Sequence, residues 1–145
     1  MAMIYIAILT DRAPPEVSSI CELIGERITR FVDDYPDREN TFVEPWPEAP
    51  AIYVRQARRD GSATPEIERR LERCKTVLYF EGPGNPQECA DQVSVLKLYL
   101  ETLDGSVVDW GGIDYGWPLV QLGEDALRCL SELPDEPRLS AEALE

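Results

Sequence analysis

The chain has 145 residues, 14 lysines and arginines against 28 aspartates and glutamates, no histidine, and a formal net charge of −14. A field of that sign repels nucleic acid and anionic membrane and steers basic partners inward, so neither of the first two is an expected partner. Without imidazole the commonest proton shuttle near neutral pH and the commonest zinc ligand are both missing, which excludes Ser/His and Cys/His hydrolases.

The length is that of one ordinary domain, and 43% hydrophobic residues suffice for a core without metals or crosslinks. The expectation is a single globular domain over 1–133 with a flexible, proline-broken tail over 134–145. The longest apolar run, Ile4 to Leu9, is far too short for a membrane span and lacks a basic leader. A cytoplasmic chain is expected. The cysteines at 21, 74, 89 and 129 have no C-x-x-C spacing and fall beside apolar helical positions, where a free thiol packs as a small hydrophobe.

In chain order, Met3 to Leu9 is isoleucine-rich and reads as a central strand buried on both faces. After Asp11-Arg12-Ala13-Pro14-Pro15, the apolar residues Val17, Ile20, Cys21, Ile24, Ile28 and Phe31 recur at three- and four-residue steps and predict a helix to about Val32. A polar turn region follows. Glu44-Pro45-Trp46-Pro47-Glu48-Ala49-Pro50 cannot be helix, because three prolines in six residues impose extended geometry, as a connector or as a recognition loop presenting Trp46 between two acids. A short strand is expected at Ala51 to Val54.

From Arg55 to Lys75 seven basic residues face four acidic ones, so this strip is basic and the rest of the chain carries −17. Glu66, Glu68 and Glu72 are spaced to pair with neighbouring arginines on a solvated helix face. The alternative is an anion groove. Thr64-Pro65-Glu66 marks the helix start, with Ile67, Leu71 and Cys74 as its apolar face. Thr76 to Phe80 reads as a buried strand. The Gly82-Pro83-Gly84-Asn85-Pro86 loop precedes the next helix, with Asn85 as cap and Glu88 completing a capping box. It sits where an anion can bind, yet it contains no lysine, and its two prolines delete amides that a phosphate cradle uses.

Cys89, Val93, Leu96, Leu100 and Leu103 define that helix, which Asp104-Gly105 ends. Lys97 falls at one of its polar positions, where a solvated role is expected. Ser106 to Trp110 predicts a fourth strand, Gly111 to Pro118 a glycine- and aromatic-rich loop, and Glu124 to Leu133 a last helix. The fold class expected is α/β (α+β): one ferredoxin-like sheet of about four strands covered by three to four helices, with a flavodoxin-like parallel sheet as the alternative.

Two sets of residues carry functional expectations. The loop from Trp110 to Trp117 combines large rigid aromatics with aspartates, so Asp109, Trp110, Asp114, Tyr115 and Trp117 are candidate partner-binding residues, joined by Glu44, Trp46 and Glu48 if the fold brings the loops together. Trp110 and Trp117 serve equally well as core lids over a sheet edge. Separately, Glu81, Asp104, Asp109 and Asp114 are the acids from which a magnesium-dependent hydrolase or transferase could be built. No catalytic nucleophile, metal or cofactor is otherwise indicated.

The segments Cys74 to Glu81 and Leu98 to Glu101, followed by Val107-Val108-Asp109-Trp110-Gly111-Gly112, make the stretch from 65 to 117 resemble immunity proteins of bacterial toxin-immunity systems. The resemblance implies a non-enzymatic antitoxin, monomeric or homodimeric, that occludes the basic cleft of one cognate protein toxin. A small ligand-sensing domain that dimerises through a sheet edge is the third alternative.

Overall fold

A computed structural model describes residues 5–29, 42–45, 55, 57–59, 61–81, 90–110 and 116–132. The strands are β1 (Tyr5–Thr10), β2 (Phe42–Pro45), β3 (Thr76–Glu81), β4 (Val107–Asp109) and β5 (Val120–Leu122). The helices are α1 (Pro14–Thr29), α2 (Pro65–Arg73), α3 (Ala90–Thr102) and α4 (Gly123–Ser131), and residues 57–59 are also helical.

The strands form one sheet in the order β2-β3-β1-β4-β5, with every neighbouring pair antiparallel. This excludes the parallel flavodoxin-like alternative. Among the described residues the sheet has five strands, not about four. The missed strand, β5, is only three residues long, too short to show an alternating pattern. The expected strand at 51–54 lies outside the described residues. The strand that occupies the β2 position begins at Phe42 and runs into the proline stretch, ending on Pro45. Proline is tolerated there because β2 is an edge strand, where a missing N–H need not break a ladder.

β1 is central, as its sequence predicts, and alternates between two apolar clusters. Ile6 and Ile8 enter the first with Leu78 and Val108, beneath α1, α3 and α4. Ala7 and Leu9 enter the second with Val77, Val107 and Val120, beneath α2. The sheet is therefore covered by three helices on one face and by α2 on the other.

Local chemistry sets several boundaries. Thr64 caps α2, its Oγ1 accepting from Ile67 N at 3.1 Å, with Pro65 in the first turn. Gly105, at φ +76°, takes the left-handed conformation that turns the chain from α3 into β4. Gly123 N donates to Ser106 O at 2.8 Å, and a Cβ on Gly123 would lie 2.7 Å from Ser106 Oγ. A side chain at 123 would force the Ser106 hydroxyl or the local backbone to shift. Among the described residues no helix is long and apolar enough to cross a membrane.

Candidate functional site

Strand register decides how the expected partner-binding residues are arranged. Phe42, Tyr79, Ala7, Asp109 and Val120 form one cross-strand row, and Glu44, Val77, Leu9, Val107 and Leu122 form a second row two residues along. Glu44 and Asp109 thus share the α2 face of the sheet. They are separated by three strand spacings, about 14 Å, and by two residues, about 7 Å, along the strands. They do not form one patch. Pro45, which precedes Trp46, is level with Thr76 and Thr10 at one end of the sheet, whereas Asp109 and Trp110 lie towards the other. Trp46, Glu48, Asp114 and Tyr115 lie outside the described residues.

Burial corrects two of the assignments. Asp109 is 4% exposed and Trp110 is 1% exposed, so neither side chain belongs to a docking surface. Asp109 is enclosed because it stands between Ala7 and Val120 on a covered face. A carboxylate at that depth has to be held by a polar interaction, and Asp109 engages in one. Trp110 takes the core-lid alternative. Its indole N–H donates to Gln121 Oε1 at 2.8 Å, the Gln121 amide lies 3.6 Å from Cys129 Sγ, and its backbone N–H donates to Leu119 O at 2.9 Å. Trp117 is half-buried against the same cluster, its ring centroid 5.2 Å from that of Trp110 at an interplanar angle of 54°. Among the described candidates Glu44 alone is exposed.

The four acids of the hydrolase reading are not assembled either. Asp104, 83% exposed, precedes β4 and pairs with Arg12 at 3.1 Å, while Asp109 is buried at the far end of the same strand. Glu81 closes β3 opposite Tyr5, two strands from β4. Asp114 is outside the described residues. Among the described residues no three potential ligands converge on a metal position.

Charge, in contrast, is organised. In the basic strip Arg69 pairs with Glu66 at 2.6 Å and Arg70 with Glu66 at 3.1 Å, as the helical spacing predicts, while Glu68 pairs with Arg58, ten residues away and outside α2. Arg55, Arg59, Arg73 and Lys75 are exposed, with no carboxylate partner among the described residues. Arg70 also forms a fork with Glu124 on α4, at 2.8 and 2.6 Å, and donates to Ser106 O at 3.2 Å. This contact was not legible in the sequence, since the two residues are 54 positions apart. The Arg70 hydrogen bond holds Glu124 below the usual carboxylate range against the opposing effect of burial, and the same bond raises Arg70.

At the end of the sheet where β1 stops, Arg12 bridges Glu16 at 2.7 Å and Asp104 at 3.1 Å, and both hydrogen bonds raise its pKa. Burial pushes Cys21 up to about 11 and Cys74 up to about 12, the Asp11 charge adding to the second.

No described protein family, no curated protein and no solved structure matches this chain.

Proposed function

We propose that the protein is a non-catalytic, acidic binding protein of the bacterial cytoplasm that recognises a cationic protein surface, in the manner of an immunity protein that occludes the basic cleft of a cognate toxin. The observation that carries this reading is the surplus of uncompensated surface acid. Asp11, Glu22, Glu44, Glu101 and Glu132 are all exposed with no cation partner among the described residues. Outside the α2 segment Arg12 is already held by Glu16 and Asp104, and Arg128 by Asp125. Unpaired carboxylates of this kind accelerate encounter with a cationic partner and set its orientation.

The surface differs from the one the sequence suggests. Asp109 and Trp110 drop out of it, and Glu44 on the β2 edge stays. Trp46 and Glu48, which follow β2 in the chain, remain the aromatic and acidic candidates beside Glu44; Asp114 and Tyr115 remain candidates on the sequence argument alone.

We also assign the four strands β4-β1-β3-β2 to a ferredoxin-like arrangement, with β5 and α4 added at the β4 edge. Supporting this are the all-antiparallel order and the paths of α1, which joins β1 to β2 across the position of β3, and of α3, which joins β3 to β4 across that of β1.

The test is size-exclusion chromatography and calorimetry of the purified protein with the product of the gene adjacent to its own, in 0.15 M salt. A complex whose association rate falls with salt and with Glu44→Lys supports the reading. Absence of any complex overturns it.

A further inference from the structure

β2 and β3 are adjacent antiparallel strands, a pair that two to five residues can join. Here 30 residues, 46–75, separate Pro45 from Thr76. The described part of this insertion carries α2 to the face of the sheet opposite the other three helices. The five-strand ladder does not depend on it, because none of the strand pairings uses a residue between 46 and 75.

The attachment of α2 is thin compared with the other layer. Ile67 and Leu71 are its buried residues, with Cys74 just beyond its end. Lys75 N donates to Thr10 O at 2.9 Å and Val120 N to the side-chain Oγ of Ser62 at 3.4 Å, tying its flanks to the sheet, and Arg70 donates to Ser106 O at 3.2 Å. The Arg69 and Arg70 pairs with Glu66 lie within residues 61–75 and would travel with them, whereas Glu68 pairs with Arg58, just before that span. One side-chain contact alone joins α2 to the opposite helical layer among the ion pairs of the described residues: the fork between Arg70 and Glu124.

We infer that residues 61–75 form a cap that opens as a unit from the second face of the sheet while the sheet and the three-helix layer stay folded, with the Arg70–Glu124 pair as its latch. Opening uncovers an apolar strip of Ala7, Leu9, Val77 and Val107 beside the carboxylate of Asp109. Local openings of this sort occur where few apolar contacts and solvent-facing ion pairs hold a segment. The inference does not rest on the function proposed above.

Amide hydrogen exchange on the full chain, read by mass spectrometry, tests it. In the wild type, peptides spanning α2 exchange faster than those spanning β1 and β3. Glu124→Gln speeds α2 exchange by up to about fivefold, while β1, which exchanges through global unfolding, speeds by no more than that factor and stays the slower of the two. Raising sodium chloride from 0.05 to 0.5 M in the wild type does the same in weaker form, so the test survives a variant that folds poorly. If α2 and β1 exchange at one common rate and respond together, the cap opens only by global unfolding and the proposal fails. If α2 is faster but indifferent to both perturbations, Arg70–Glu124 is no latch and the proposal fails equally.

Discussion

The indole Nε1 of Trp110 and the Oε1 of Gln121 meet at 2.8 Å as a diagonal cross-strand pair, Gln121 standing opposite Val108 and Trp110 two residues beyond it. Both side chains are buried, so the bond satisfies polar atoms that water cannot reach. Trp110→Phe keeps most of the ring and strands the Gln121 carbonyl. The expected loss is about 1–3 kcal/mol, and about 3–5 kcal/mol for Trp110→Ala. Urea denaturation measures both. A Trp110→Phe protein as stable as the wild type would show that the bond contributes nothing net.

Gly123 and Ser106 make a second close approach. Ser106 Oγ is the buried side-chain polar atom without a hydrogen-bond partner among the described residues. Gly123→Ala drives a methyl to 2.7 Å from that oxygen and is expected to cost about 1–3 kcal/mol. Ser106→Ala removes an unsatisfied hydroxyl and should be neutral or stabilising. Together, the two substitutions should recover part of the Gly123→Ala loss, since the methyl still faces Ser106 O at 3.1 Å. Thermal melts of the four proteins close the cycle, and strict additivity would refute the contact.

The depressed pKa of Glu124 has a definite sign. Its folded value lies below its unfolded one, so its contribution is complete above the unfolded carboxylate range and is lost as pH falls through the folded value. The groups facing it are Arg70 and, from its own helix, Arg128; Glu66 and Asp125 share those cations. Because Glu124 is about half exposed, the effect is modest, of order 1 kcal/mol or less. The stability difference between wild type and Glu124→Gln should be largest at neutral pH and shrink towards pH 3. A constant difference would contradict the assignment.

Cys21 and Cys74 should resist thiol reagents. With their pKa values raised to about 11 and about 12, little thiolate forms at pH 8. Alkylation with iodoacetamide, mapped by peptide mass spectrometry, should label both slowly in the native protein and fast in denaturant. Rapid native labelling of Cys74 would indicate that the α2 segment opens more readily than its neighbours allow.

Elements with a strong local signature were legible from the chain. Ile6 to Leu9 lack any polar residue, which suits a strand covered on both sides, and Thr64-Pro65 states where α2 begins. β2 was missed at 42–45 because proline argues against a strand in general, and its position at the edge of the described sheet makes Pro45 acceptable. β5 escaped because three residues carry no period, and because Gln121 looks solvent-facing until Trp110 is placed beside it.

Sequence alone determined the charge, the missing imidazole, the mixed helix and strand composition, and the helical pairing of Glu66 with Arg69 and Arg70, since each depends on composition or on neighbours within one turn. Tertiary structure decided what is buried and what meets. Asp109 and Trp110, candidate contact residues at the end of a predicted strand, lie inside, and Glu44 shares their sheet yet stands three strands away. Arg70 finds Glu124 across 54 residues. Strand order and register set those distances, and both arise from long-range burial that no local stretch of residues encodes.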